Sequence, residues 1–236
     1  MQSQRISSTG TDASRVVRSR DETRASYDQL SRWYDWLSRS AEQPMVQDGL
    51  RMLDAQEGER ILEVGSGTGQ ALVQLARSVG ASGSVCGLDI SSGMLRASSA
   101  KVRATALNSR VVLHCADATT LPFKSGLFDA IFMSFTLELF DAFDIPVVLS
   151  ECGRVLREGG RICVVALSNR GGATLVRRLY EWARRLCPRF VDCRPIFARA
   201  ALGQAGFDTA SVAEPDMWGL PVEVVVAVKS QPLQTP

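Results

Sequence analysis

The chain has 236 residues, of which 45% are hydrophobic and 22% are charged. This composition is that of one ordinary globular domain with a sizeable core, and it excludes fibrous, collagen-like and fully disordered proteins. The net charge is only +2, which gives no sign of a nucleic-acid surface. No apolar run approaches the roughly 20 residues that cross a bilayer, and residues 1–10 lack the apolar segment of a signal peptide. We therefore expect a cytoplasmic protein without a membrane span.

Six cysteines and one histidine argue against a disulfide framework and against a metal site. None of the cysteines forms a C-x-x-C pair, and Cys86, Cys115 and Cys163 stand in apolar runs typical of core strands, where reduced cysteine behaves as a small hydrophobe. A single histidine, His114, leaves the usual Cys/His zinc set incomplete.

The N-terminal region divides into a tail and two helices. Residues 1–20 lack hydrophobic periodicity and predict a mobile tail. An organellar transit peptide is the alternative, because the tail contains Arg and Ser and only Asp12 as an acidic residue. Between Tyr27 and Leu53, apolar residues recur at helical spacing, which predicts two helices ahead of the main fold.

From Arg60 onward, short β-rich runs alternate with helical patterns. The strand-like runs are RILEVG, SVCGLDI, RVVLHCA, FDAIFMSF and GRICVVAL, and the helical patterns between them cover Gln70 to Val79, Ser92 to Ala104 and Ile145 to Arg157. The alternation predicts βαβ units, hence a mostly parallel sheet with helices on both faces. Further helices are expected at Ala173 to Leu186 and Ile196 to Gln204. The last two runs, FDTASVAE and VEVVVAV, are joined without a helix, which predicts an antiparallel pair.

The segment ILEVGSGTGQ, residues 61–70, places Gly65, Gly67 and Gly69 between a strand and a helix. Glycines there let the chain turn sharply at the carboxyl end of the strand and let backbone N–H groups approach a ligand. A dinucleotide site and a plain tight turn are the alternatives. The GxGxG spacing differs from the GxGxxG of dinucleotide-binding dehydrogenases, which weakens that rival interpretation.

Two aspartates follow the next two strands. Asp89 ends the second strand, where a carboxylate accepts hydrogen bonds from both hydroxyls of a ribose. Alternatively it caps the next helix, a role that Ser91 or Ser92 also fits. Asp117 ends the third strand and is placed to accept from an adenine amine, while the backbone amide of Ala118 donates to a ring nitrogen.

Five motifs together resemble the class I S-adenosylmethionine-dependent methyltransferases, and among them the ubiquinone/menaquinone-biosynthesis-like small-molecule group. They are EVGSGTG, GLDIS with Met94, DATTLPF, FDAIFMSF and RVLREGGRICV, and the resemblance runs from about Tyr27 to Lys229. It implies an α/β fold with a Rossmann-like, mostly parallel seven-stranded sheet and a C-terminal antiparallel hairpin. We expect one domain over residues 21–236, with residues 21–56 as N-terminal lid helices and residues 170–206 as a substrate lid.

The resemblance also implies S-adenosyl-L-methionine as the cofactor. The glycine turn with Glu63 would hold the methionine end, Asp89 the ribose and Asp117 the adenine, while Ser134 and Phe135 would border the sulfonium. Met94 and Leu121 either flank the adenine or belong to the core. The full expected set of cofactor-binding residues is Tyr27, Glu63, Gly65, Ser66, Gly67, Gly69, Asp89, Ile90, Met94, Asp117, Ala118 and Ser134.

Methyl transfer needs few catalytic side chains, because the sulfonium already carries the activation. His114 lies on the third strand, so we expect a packed histidine and not a base. Glu138, just after the fourth strand, is the candidate base or the partner of a cationic acceptor. Its alternative is a solvated residue in the first turn of a helix. Tyr34 is the second catalytic candidate.

The acceptor is expected to be a small molecule, aromatic or apolar, because residues 170–218 interleave aromatic rings such as Trp218 with arginines. No appended basic domain points to nucleic acid, and a homodimer is left open. A cofactor-binding protein of the same fold that transfers no methyl group is the alternative function.

Overall fold

The computed structural model describes residues 42–170, 195–217 and 219–230. Helices and strands alternate through these ranges in the following order: α1 (Glu42–Leu53), β1 (Arg60–Val64), α2 (Gln70–Ser78), β2 (Ser84–Asp89), α3 (Ser92–Ala104), β3 (Val111–Cys115), β4 (Phe128–Ser134), a 3-10 helix (Leu137–Leu139), α4 (Ile145–Val155), β5 (Leu156–Leu167), α5 (Ala198–Gln204), β6 (Phe207–Ala213), β7 (Asp216–Met217) and β8 (Leu220–Lys229). The expected tail, Tyr27, Tyr34, Trp218 and most of the expected substrate lid lie outside the described residues.

The strands form one sheet in the order β3-β2-β1-β4-β5-β8-β6. Strands β1 to β5 pair in parallel, whereas β8 pairs antiparallel with both β5 and β6. The predicted α/β fold is therefore confirmed, including the antiparallel ending. The two-residue β7 also pairs with β8, so the connection between β6 and β8 contains a short strand of its own.

The inner parallel strands β1, β2, β4 and β5 are largely buried on both faces because helices cover both. Helices α1, α2 and α3 pack on one face of the sheet, while α4 and α5 pack on the other. Successive residues of β4 point to opposite faces. Phe132 belongs to the core on the face covered by α1, α2 and α3, whereas Ile131 and Met133 belong to the core on the face covered by α4 and α5. This double burial explains why β4 reads as a continuous apolar run.

Helix α1 lies close against the sheet because Gly49 faces the strands. A Cβ at Gly49 would lie 2.5 Å from Cγ2 of Val165, well inside normal contact distance. At the start of the helix, Gln70 Nε2 donates to Gln43 Oε1 at 2.8 Å. Since Gln70 begins α2, the first turn of α1 lies beside the glycine turn. No helix within the described ranges is both long and apolar enough to cross a membrane.

Two local expectations are corrected by the structure. The helical pattern was expected to run to Arg157, but α4 ends at Val155 and β5 begins at Leu156, which pairs with Phe128 across a register shift. Cys115 was expected in the core and is exposed. The reason is that β3 is an edge strand, on which Val112 is also 56% exposed.

Candidate active site

The glycine turn joins β1 to α2 and is held mainly by its own backbone. Gly65 N–H and Ser66 N–H both donate to the carbonyl of Leu88, at 2.8 and 3.0 Å, and Gly69 N–H donates to the carbonyl of Ser66 at 2.8 Å. Gly67 N–H donates to Oδ2 of Asp89 at 2.8 Å. Three of these amides therefore hold the turn against β2, and the amide of Gly69 closes the turn itself.

The three glycines of the turn all have positive φ angles but differ in their surroundings. A Cβ at Gly65 would lie 2.3 Å from the side chain of Thr136, and a Cβ at Gly69 would lie 2.3 Å from Oγ of Ser98. A Cβ at Gly67 would meet nothing within 4 Å. Gly65 and Gly69 thus allow close packing, whereas Gly67 borders open space at the tip of the turn.

Asp89 ties the end of β2 to that turn. Its Oδ2 accepts from Gly67 N–H, and its Oδ1 accepts from Ser91 N–H at 2.9 Å. The cap of α3 is Ser91, whose Oγ accepts from Met94 N–H at 3.2 Å, so capping is the role of the serine and not of Asp89. A carboxylate has about four acceptor positions, so a ribose hydroxyl and the backbone can share this one.

Glu63, the next-to-last residue of β1, is almost completely buried, and its Oε2 has no hydrogen-bond partner. Burial and the neighbouring charge of Asp89 raise its pKa well above the usual carboxyl range, while Lys101 acts in the opposite direction. Buried polar atoms are normally paired. An unpartnered carboxyl oxygen near the open face of Gly67 fits a ligand that brings a hydrogen-bond donor, such as the amine of S-adenosylmethionine.

The segment after β3 forms a compact turn. Asp117 Oδ1 accepts from the backbone N–H and the hydroxyl of Thr119, at 2.9 and 2.8 Å. Ala118, Met94 and Leu121 are buried. Ile90 is half-buried.

His114 is half-buried on β3. Its ring packs edge-on against Phe123, with ring centroids 5.2 Å apart. This is the packed histidine that the sequence predicts.

The end of β4 is strained at Phe135, which has a φ of 48°. A bulky residue in this left-handed region costs about 1–3 kcal/mol and persists only where its surroundings fix it. Here the N–H of Phe135 donates to the carbonyl of Val165 at 2.7 Å, and Thr136 Oγ1 donates to the carbonyl of Ser134 at 2.8 Å. The strain allows Thr136 to meet Gly65 directly.

Residues 61–160 match the family model described as a methyltransferase domain. This match supports the resemblance to the class I S-adenosylmethionine-dependent methyltransferases that the sequence motifs indicate. It is 31% identical to a demethylmenaquinone methyltransferase of Porphyromonas gingivalis over 60% of this chain and 56% of the relative. It is 33% identical to the nocamycin O-methyltransferase of Saccharothrix syringae over 66% of this chain and 53% of the relative. The chain thus spans little more than half the length of these relatives.

Solved structures agree on the fold. A SAM-dependent methyltransferase from Aquifex aeolicus superposes with a TM-score of 0.63 at 21% identity, covering 86% of this chain and 98% of the other. Within the described part of the chain, no group of three or more His, Cys, Asp or Glu side chains is arranged to hold a metal ion.

The surroundings of Glu138 differ from one of the two roles that the sequence allowed, that of a solvated residue in the first turn of a helix. It lies in the 3-10 helix and is 1% exposed, so the interpretation as a solvated residue is wrong. Its Oε1 accepts from Leu167 N–H at 3.1 Å, and its Oε2 has no hydrogen-bond partner. Burial, with a smaller contribution from the charge of Glu42, raises its pKa to about 8, although hydrogen bonds from backbone amides act in the opposite direction.

Sequence reasoning missed Glu42 and Lys101. Glu42 begins α1, and burial raises its pKa to about 7. No local pattern marks it, because its electrostatic effect on Glu138 depends on how α1 packs. Lys101 does carry a signal: with Met94 and Ser98 it lies on one helical stripe, so a cation stands on the inward side of α3.

Proposed function

We propose that this methyltransferase transfers the methyl group of S-adenosylmethionine to a small-molecule acceptor. The observation that carries the proposal is the combination of an unpartnered, buried Glu63 oxygen with the open face of Gly67 at the carboxyl end of β1. Ligands of open α/β sheets bind at this edge, outside the carboxyl ends of the strands.

The chain's own residues would hold the cofactor in three places. Glu63 would accept from the amine of the methionine end, and Asp89 from the ribose hydroxyls. Asp117 and the amide of Ala118 would bind the adenine, while Ser134 would border the sulfonium. When bound, the cofactor supplies a methyl group activated by the positive sulfur.

Glu138 is the group that we propose to face the acceptor. With a pKa of about 8, it is mostly protonated at neutral pH and donates a hydrogen bond more readily than it accepts a proton. Its Oε1 is fixed by Leu167, so the carboxyl is held in one orientation. This supports a positioning role, in which the acceptor is aligned for in-line attack and water is excluded. A role as general base is the alternative.

The acceptor class follows from the relatives and from the sequence. One relative is named for demethylmenaquinone and the other for nocamycin, and both names denote small molecules. We propose an apolar or aromatic small molecule, with no nucleic-acid partner, in the cytoplasm. Tyr27, Tyr34 and Trp218 remain predicted contacts of cofactor and acceptor. Light scattering tests whether the protein forms a homodimer.

Calorimetry tests the cofactor, and a labelled methyl group tests the transfer. Wild-type protein should bind S-adenosylmethionine and S-adenosylhomocysteine but not NAD, and Asp89→Asn should weaken both by tenfold or more, since hydrogen bonds to a charged group contribute about 1.5–3 kcal/mol. Incubation with methyl-labelled cofactor and a cell extract should label a small molecule. Micromolar binding of NAD without binding of the sulfonium cofactor would overturn the proposal, and so would binding without any labelled product.

A further inference from the structure

Helix α3 packs directly against the glycine turn. A Cβ at Gly69 would lie 3.1 Å from Cα of Ser98, so the backbones of the turn and the helix are in close contact. Lys101 stands about one helical turn after Ser98, and its Nζ donates to Oγ1 of Thr68 at 3.4 Å. An ammonium group is thereby held against the turn, next to Gly67 and Gly69.

Two carboxyl groups, those of Glu63 and Asp89, adjoin the same glycine turn. Glu63 is enclosed at the end of β1, and Asp89 is bound to the same turn through Gly67. Two nearby anions raise the cost of ionising each other, and burial of one raises that cost further. Among the described residues, the ionisable groups that act on Glu63 are Asp89 from β2, which opposes its ionisation, and Lys101 from α3, which favours it.

We propose that Lys101 is a positioning residue of the cofactor site, whose ammonium group allows Glu63 to ionise beside Asp89 when a ligand amine binds. The inference rests on the proposed function, because it assigns the ligand of Glu63 to a primary amine on a molecule that also carries a ribose. Lys101 touches neither ligand nor reacting atoms in this proposal. It acts through Glu63 alone.

The test compares two probes that differ in the amine. S-adenosylhomocysteine carries the ribose, the adenine and the amino acid, whereas 5′-methylthioadenosine lacks the amino acid. Lys101→Met should weaken the binding of S-adenosylhomocysteine severalfold at pH 6.5, because Glu63 is then harder to ionise beside Asp89, and should leave the binding of 5′-methylthioadenosine within twofold. The loss should be smaller at pH 8.5 than at pH 6.5, because a higher pH favours the ionised form of Glu63. Calorimetry on the full chain measures all of these affinities.

Three variants sharpen the comparison. Lys101→Arg keeps the charge and should retain most of the affinity. Lys124→Met removes a lysine from an exposed loop position and should change nothing. In a Glu63→Gln background, Lys101→Met should have almost no further effect, since the group through which it acts is already neutral.

The outcomes separate the inference from the proposed function. Equal losses for the two probes would show that Lys101 merely supports the turn, and an unchanged Lys101→Met variant would show that its charge does not matter; each refutes the inference alone. Wild-type protein that binds neither probe would refute the proposed function and the inference together.

Discussion

Replacing Gly67 by alanine adds one methyl group at the point where the structure leaves room for a ligand. The φ of Gly67 is 50°, and the added Cβ would meet no protein atom within 4 Å. The substitution therefore introduces backbone strain without a clash. A loss of ligand affinity must then arise because the ligand occupies the open space beside Gly67.

The expected cost to folding is small. An L-residue in the left-handed region loses about 1–2 kcal/mol, and in a chain of this size 1 kcal/mol lowers Tm by about 2–4 °C. Gly67→Ala should therefore melt roughly 2–8 °C below wild type. Binding of S-adenosylhomocysteine should fall at least about tenfold, a change of 1.4 kcal/mol, because the methyl group occupies space that the ligand needs.

Gly159→Ala is the matched control. Gly159 has a φ of 69° and also has open space around its Cβ position. It lies near the amino end of β5, however, whereas Gly67 follows the carboxyl end of β1. Differential scanning fluorimetry should show similar drops in Tm for the two variants, and calorimetry should show a loss of affinity only for Gly67→Ala. Affinities that agree within twofold would refute the placement of the cofactor over the turn.

Two other predictions concern ionisable groups. Glu138→Gln should lower the single-turnover rate less than tenfold at saturating cofactor and remove an apparent pKa near 8 from the pH–rate profile; a loss of about 10² or more would instead identify Glu138 as a general base. Arg161→Met should lower the free energy of unfolding at pH 7 by at least about 1.5 kcal/mol, because Arg161 holds both oxygens of Glu59 and two carbonyls at the end of α1. The guanidinium lowers the pKa of Glu59 below 4.5, so this stabilisation is present above pH 4.5 and is lost as the pH falls through the lower folded pKa. Urea melts from pH 3 to 7 test this, with Arg103→Met, which removes an exposed arginine of α3, as the control; a difference between wild type and Arg161→Met that stays constant with pH would contradict it.

Local patterns were enough to predict most of the fold. Helix α3 was predicted over Ser92 to Ala104 and has those bounds, because a serine cap precedes a regular apolar stripe. The antiparallel pairing of β8 also followed from the sequence, since a parallel crossover needs a helix that this segment lacks. The glycine turn was found because positive φ angles leave glycine as the favoured residue.

The parts of the site that escaped prediction depend on contacts between distant segments. The burial of Glu138 requires β5 beside it and α1 nearby, and no local pattern distinguishes a buried glutamate in a short helix from a solvated one. The positive φ of Phe135 has no sequence signature, because a phenylalanine rarely adopts it. The hydrogen bonds from the turn amides to Leu88 and Asp89 depend on the register between β1 and β2.

The position of β8 has a consequence for how the chain is made. Among the described strands, β8 (Leu220–Lys229) is the last to leave the ribosome, yet it occupies a place inside the sheet, between β5 and β6. Until they emerge, β5 presents an open apolar edge and β6 lacks the strand with which it pairs, a state prone to pair with other chains. Strands β1 to β5 can assemble during translation, but completion of the sheet has to wait for the arrival of β8.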